Sequence, residues 1–407
     1  MKTILIINHF AGIPGINASG QRHFHFARVL SDEGYNVHLI TSKNNYQVKN
    51  KKLNESFLSI EGVNVHFVNE VHSKKVNLFV KLVRAFSFSI NLNFFLKKRF
   101  SKDKIDLIIA SSPDLFTAFV GKNHAKKMKS KFLLEIRDIW PLTQQIIHKF
   151  SRFHPVIVLF RLIERNLYKN ADFIISNLRN FHKYLEDIKI SKPFKHIHAF
   201  EVEHESIKFD SSIYDQLPGI DKYKHFGIYA GTIGKLYGLE QIINNFPGEV
   251  KSRVAILFIG SGDYFESLKV HTSKIENGNF YLIERTENKS ELLYLYKKAS
   301  FGISLSNNFQ ELYKYGLNPV KVFDYMKNSL FTIGIGPYHY AGMKDSKGLV
   351  SIPFNDKNAF SKKILKISKM NKVEIEELGK MNKEFGELHF SAKSALEKFI
   401  LVVRSLI

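Results

Sequence analysis

The sequence predicts an α/β chain of two Rossmann-like domains, on three observations. Short runs rich in β-branched and aromatic residues alternate with helical patterns throughout. The alternation stops in an irregular stretch past the middle and then starts again. The 407 residues exceed one ordinary core, so two domains of about 200 residues each are the natural division. Hydrophobic residues make up 44%, with 36 phenylalanines, enough apolar material for both cores and against disorder.

In the first half the expected strands are Ile4–Asn8, Asn36–Thr41, Val63–Val68, Ile105–Ala110, Phe132–Arg137 and Phe173–Ser176. The N-terminal run is short and no small-residue cleavage site follows, so it reads as a buried strand rather than a leader. After it, the Gly-rich loop from His9 to Arg22 enters a helix through Phe24, Phe26, Ala27 and Leu30. Gly20 permits close backbone approach there, and Arg22 stands where an anion could dock. Residues 74–104 hold nine basic residues and one acid, Asp103, with Leu78, Leu82, Phe86, Ile90 and Phe94 at helical spacing. Two readings stay open: a face for an anionic membrane surface, or a helix packed on its own sheet with a solvated basic side. Glu135-Ile-Arg-Asp-Ile-Trp-Pro141 then places Arg137 and Asp138 at a strand exit beside the single tryptophan.

The stretch from Ser191 to Tyr223, with Pro193, Pro218 and Gly219, is the expected hinge. Beyond it the pattern resumes with Phe226–Ala230, Val254–Ile259, Phe280–Ile283, Phe301–Leu305 and Leu349–Ile352. The domains are expected over 1–195 and 196–385, with 386–407 an amphipathic helix packing back toward the interface. Ligands of open parallel sheets bind beyond the carboxyl ends of the strands. Ala230-Gly-Thr-Ile-Gly-Lys235 and Gly260-Ser-Gly262 occupy such positions.

Tyr315-Gly-Leu-Asn-Pro-Val-Lys-Val-Phe-Asp-Tyr-Met326 predicts a helix with Asn318 as N-cap and Pro319 in its first position. Such a start is a natural anion site, to which Lys321 adds a full charge. Asp324 shares the lysine's face and could accept hydrogen bonds from sugar hydroxyls. An ordinary capped helix with a surface Lys–Asp pair is the other reading.

Several classes lose support. There is no cysteine, hence no disulfide or thiolate metal site. His23 and His25 are two apart on a helix and do not share a face, and His196 and His198 lie in the link, so no metal is expected. Neither Gly-rich turn matches G-x-G-x-x-G, and no P-loop or G-x-S-x-G occurs. A formal charge of +22 suits polyanions, but no nucleic-acid motif accompanies it. No apolar run approaches the roughly 18 to 20 residues that span a bilayer.

Taken in order, these motifs resemble the family 4 retaining glycosyltransferases of the two-Rossmann GT-B type. The resemblance is to the branch of bacterial colanic acid, O-antigen and capsule enzymes that includes the N-acetyl-fucosaminyl transferases. It covers nearly the whole chain and rests on Gly20-Gln-Arg22, the 135–141 motif, Tyr229–Lys235, Phe258–Asp263 and Tyr315–Met326. It implies two domains facing a cleft, the first for the acceptor and the second for a nucleotide-sugar such as a UDP-sugar, with no cofactor or metal required. Lys235 and Lys321 would hold the donor diphosphate, with backbone contacts from Gly231, Thr232 and the Pro319 helix start. Gly260, Gly262 and Gly316 would also belong to the donor site. Asp324 corresponds to the second acid of the family's E-x7-E motif, but Gly316 stands where the first glutamate would be. Gly20, Arg22 and Arg137 would meet the acceptor. Proton removal from the acceptor hydroxyl would fall to Asp138 or to the departing phosphate.

The implied acceptor is a polyprenyl-diphosphate-linked saccharide at the inner face of the bacterial inner membrane. The protein would then be cytoplasmic, and peripheral through residues 74–104. A UDP-sugar 2-epimerase on the same architecture and a noncatalytic polyanion- or membrane-binding protein are the alternatives.

Overall fold

The computed structural model describes all residues except 17–19, 45–54, 72–77, 201–208, 276–277, 285, 287, 307–308 and 355. The chain divides into two units, Met1–Val202 with Ala392–Ile407, and Glu203–Ser391. The expected boundaries stood at 195 and 385.

The first unit holds an eight-stranded sheet of β1 (Thr3–Ile7), β2 (Asn36–Ser42), β3 (Phe57–Ile60), β4 (Val63–Val68), β5 (Leu107–Ser111), β6 (Lys131–Ile136), β7 (Phe173–Ser176) and β8 (Phe194–His196). Their order is β3-β4-β2-β1-β5-β6-β7-β8, parallel throughout except β3 against β4. With the antiparallel edge strand set aside, this is the doubly wound order 3-2-1-4-5-6, extended by β8. Ile4 to Ile7 and all of β5 are buried, as expected of parallel strands covered on both faces.

The second unit's six-stranded sheet joins β9 (His225–Ala230), β10 (Val254–Gly260), β11 (Phe280–Glu284), β12 (Phe301–Leu305), β13 (Phe331–Ile335) and β14 (Leu349–Ile352). It is all parallel, in the order β11-β10-β9-β12-β13-β14. Each sheet therefore reverses its winding beside its own first strand. In the first unit this switch point lies between β1 and β5, in the second between β9 and β12.

Three strands escape the sequence pattern. β3 is a four-residue edge strand with half its residues exposed, and β8 is three residues long inside the expected hinge. β13, Phe-Thr-Ile-Gly-Ile, is fully buried and shows no alternation. The final helix is also shorter than expected. Residues 386–390 end the helix Lys372–Phe390, which opens on a capping box of Asn371 and Glu374, and a separate helix spans Ala392–Leu406. The latter buries Ala395, Phe399, Val402 and Val403 in the first unit's core, Phe399 stacked on Phe26 at 3.9 Å.

On one side of the first sheet lie the helices Leu78–Phe100, Leu115–Met128 and Pro155–Asn170. The first buries Ala85, Phe88, Leu92, Leu96 and Phe100 and leaves Phe86, Ile90 and Phe94 exposed. The sheet thus takes a different face from the stripe singled out in the sequence. Lys74 and Lys75 lie outside the described residues, as does the side chain of Leu78. Among the described residues no helix is long and apolar enough to cross a membrane.

Candidate functional site

In the second unit the site grows from the exit of β9. Gly231 continues the ladder, its N–H donating to Ile259 O at 2.9 Å, and turns the chain at φ +148°. A Cβ there would come within 2.1 Å of Lys321 Cε. The lysine stem therefore lies directly over the glycine, at the switch point of the sheet. The Gly231 amide, expected to contact the donor, is paired within the sheet, and the missing side chain leaves room for Lys321. Gly260 and Gly262 serve a similar end. Side chains there would strike Gly231 O at 1.8 Å and Ile233 O at 2.3 Å, so both let two loops press together and neither needs a ligand to explain it. Ile233 N–H to Ser261 O (3.0 Å) and Lys235 N–H to Asp263 Oδ1 (3.0 Å) close that contact.

Lys321 stands in the helix Val320–Lys327, which begins one residue later than expected. Pro319 occupies the cap, and no side chain of Asn318 caps the helix. The Lys321 ammonium lies 5.0 Å from the ring centre of Tyr229 and 4.9 Å from that of Tyr237. Aromatic faces attract a cation within about 6 Å. Burial lowers the lysine's pKa to about 8, opposed by the nearby charge of Asp324. Among the described residues no carboxylate forms an ion pair with it. A half-buried cation held by rings is one that an incoming anion would stabilise strongly.

The rings are themselves held. Tyr229 is fully buried, and its hydroxyl donates to Thr232 O at 2.7 Å, shaping the loop after β9. Tyr325, also fully buried, accepts from Ala230 N–H at 3.1 Å and lies within 3.1 and 3.3 Å of the carbonyls of Ile303 and Ile228. That hydroxyl ties the lysine's helix to the ends of both strands flanking the switch point. Lys235 is exposed at the start of the short turn Lys235–Tyr237, and Thr232 is exposed beside it. Gly316, at φ +128°, is buried between the helices Gln310–Tyr313 and Val320–Lys327. None of the three tyrosines stood out in the sequence as a site residue. Only the fold brings 229 and 237 against one lysine and ties 325 to the strand ends beside it.

The first unit's switch point has a different chemistry. His9, immediately past β1 and buried between the rings of Phe10 and Phe88, pairs Nδ1 with Asp114 at 2.8 Å and Nε2 with Glu70. Glu70 also pairs with Arg84. Asp114 caps the helix Leu115–Met128 by accepting from the amides of Phe116 and Thr117. Burial pulls the His9 pKa down, but the two carboxylates outweigh it and hold it raised. Glu70 is held low by His9 and Arg84 against its own burial.

Beside this cluster, Glu135 accepts from Arg22 Nε (2.9 Å), Ser111 Oγ (2.5 Å) and His23 Nε2 (2.6 Å). Burial opposes its ionisation, yet His23 and Arg22 hold its pKa well below the usual carboxylate range. Arg22, expected at the acceptor, is buried and paired within its own unit. Its other nitrogens donate to the carbonyls of His198 and Ile197, and its guanidinium lies over Phe26 and Phe200. It is a buried strut. Gly20, at φ +78°, accepts from Gly12 N–H across the same loop.

Asp138 accepts from Thr143 Oγ1 (2.5 Å) and Trp140 Nε1 (3.1 Å), so its carboxylate organises its own turn. Burial raises its pKa against those hydrogen bonds. Arg137 is different, since its buried Nε has no hydrogen-bond partner. Among the described residues no group of three or more histidines and acids is placed to hold a metal ion.

No family model and no curated protein sequence matches the chain. Solved structures do. Sucrose-phosphate synthase from Thermosynechococcus elongatus matches with a TM-score of 0.74 at 14% identity, over 100% of this chain and 99% of that one. Anabaena HepE in complex with UDP-glucose matches at 0.67 and 11%, over the whole of both chains. WaaG, a glycosyltransferase involved in lipopolysaccharide biosynthesis, matches at 0.66 and 12%, over 97% and 98%. The chain has the GT-B fold of glycosyltransferases. At these identities the likeness is one of fold, and the expected two-Rossmann architecture stands with it.

Proposed function

We propose that the protein is a glycosyltransferase that moves a sugar from a UDP-sugar onto a lipid-linked saccharide in bacterial surface polysaccharide synthesis. The observation that carries this reading is the ammonium of Lys321, lying over Gly231 at the switch point and held by two rings without an ion pair among the described residues. A fold shared with a protein solved in complex with UDP-glucose supports the choice of donor. Lys321 and the exposed Lys235 take the diphosphate, and Asp324 accepts hydrogen bonds from donor hydroxyls.

In the transfer, the bond from the anomeric carbon to the diphosphate oxygen breaks while the acceptor oxygen bonds to that carbon on the same face. Negative charge grows on the departing diphosphate, where positioned cations stabilise it most. The acceptor proton goes to a departing phosphate oxygen, because the Asp138 carboxylate is engaged by Thr143 and Trp140. Arg137, with its unpartnered buried Nε, meets the acceptor's anionic or hydroxyl groups. The acceptor's lipid places the reaction at the inner face of the inner membrane.

Incubation with a panel of UDP-sugars and a bacterial lipid extract tests this reading. Sugar transfer to lipid is expected. Epimerised donor without transfer, or neither product together with no UDP binding by calorimetry, would overturn it.

A further inference from the structure

The outer face of the helices Leu78–Phe100, Leu115–Met128 and Pro155–Asn170 is not built like a solvated surface. Phe94 is 63% exposed, Leu159 50%, Leu162 63%, and Phe153, just before the last helix, 71%. Phe86 and Ile90 join them, about two turns and one turn before Phe94. The three helices are laterally bonded. His124 pairs with Asn93 at 3.0 Å, Lys122 donates to Asn166 at 2.8 Å, and rings run from Phe86 to Phe116 (5.8 Å) and on to Phe160 (5.3 Å). The apolar side chains therefore belong to one connected face rather than being scattered singly.

Charge on that face has one sign. Lys81, Lys97, Lys98, Lys127, Arg152 and Arg165 are exposed. The only acid in the three helices is Glu164, which is buried and bonded to the Tyr184 hydroxyl at 2.8 Å. Apolar side chains ringed by cations complement a bilayer with anionic headgroups, whose acyl boundary takes the former and whose phosphates take the latter. A purely polar polyanion would leave the exposed Phe and Leu side chains in water.

We infer that this three-helix face docks the protein on an anionic lipid bilayer. Phe153, Leu159 and Leu162 enter the headgroup boundary beside Phe86, Ile90 and Phe94, and the surrounding lysines and arginines bind lipid phosphates. The surface is wider than the segment 74–104, and half of the apolar insert comes from residues 153–162, about 60 residues further on. It extends the membrane-linked acceptor of the proposed function but stands on the first unit alone.

The test is flotation of the full chain with phosphatidylcholine vesicles, with or without about one-third phosphatidylglycerol, at about 0.05 and about 0.5 M NaCl. The wild type should float with the anionic vesicles and be released by salt. Leu159→Ser with Leu162→Ser, and separately Arg152→Glu with Arg165→Glu and Lys127→Glu, should each lower partition about tenfold or more without lowering the melting temperature. UDP affinity, read on the same samples, should not change, which separates this surface from the donor site. Wild type that stays at the bottom, or variants that float as well as wild type, would overturn the inference. So would a self-association that Leu159→Ser with Leu162→Ser abolishes while flotation persists, since the face would then join two copies.

Discussion

The two sheets share one winding order, yet their switch points hold opposite kinds of charge. In the first unit, His9, Glu70, Arg84 and Asp114 close on one another, and Arg22, His23 and Glu135 do the same alongside. In the second, Lys321 has aromatic faces where a carboxylate would otherwise stand. A network whose charges pair with one another specifies structure, whereas a cation left without an ion pair is available to a ligand. The same topology therefore hosts a cross-braced framework in one unit and a candidate binding site in the other, and the side chains make the difference.

Removing His9 should break this comparison most severely. His9→Ala leaves Glu70 and Asp114 buried without the cation between them, and breaking a buried pair typically costs about 3 to 5 kcal/mol. Chemical denaturation should show a loss of that size while any UDP affinity of the folded protein persists. The pH dependence has a definite sign. The folded pKa is raised above the ordinary 6.5, so this stability is complete below about 6.5 and is lost as pH rises through the higher folded value. A wild type that gains stability relative to His9→Ala across that window would show that His9 is buried neutral.

Lys321→Met should do the reverse, harming function and sparing the fold. Loss of one positioned donor to the leaving group typically costs about 100 to 1000-fold in rate, or about 3 to 4 kcal/mol. Because burial already penalises the ammonium, the melting temperature should hold or rise. A large fall in melting temperature with intact transfer would make this lysine a structural residue like Arg22. UDP affinity of the wild type should decline as pH rises through about 8, since the deprotonated amine no longer attracts the diphosphate.

Tyr325→Phe is a smaller intervention at the seam between strand ends and helix. It removes the acceptor of the buried Ala230 N–H and should cost about 1 to 3 kcal/mol in stability. Weakened UDP binding should accompany that loss, because the same hydroxyl positions the helix that carries Lys321. Stability lost with unchanged affinity would mean that the helix is held by its other contacts.

These residues differ in how far the sequence exposes them. Lys321 and Gly231, which the fold brings together, each lie in a local signal, a strand exit with a glycine turn and a proline-led helix, readable within about a dozen residues. The β strands Phe173–Ser176, Phe301–Leu305 and Leu349–Ile352 have their expected ends for the same reason. His9 stands at an equally informative strand exit, but its partners are 61 and 105 residues away and no local pattern brings them together. Arg22 misleads for the complementary reason. Its position at a helix start suggests an anion site, and only Glu135, 113 residues on, shows that the charge is already matched.

Tyr237 allows the finest test, because it contributes a ring and little else to the charge it faces. Cation–π contact adds roughly 0.5 to 2 kcal/mol, depending on how far the site is desolvated. Tyr237→Leu should weaken UDP binding about 2- to 30-fold and move the midpoint of its pH dependence below about 8, since the ammonium loses a partner in an already unfavourable setting. Tyr237→Phe keeps the ring and should restore both affinity and midpoint. Calorimetric titrations with UDP from pH 7 to about 9.5 distinguish this from simple loosening of the turn, which would weaken binding equally at every pH. If leucine and phenylalanine behave alike, the ring only fills space, and the contrast between the two switch points rests on Tyr229 and on the absence of an ion pair to Lys321 among the described residues.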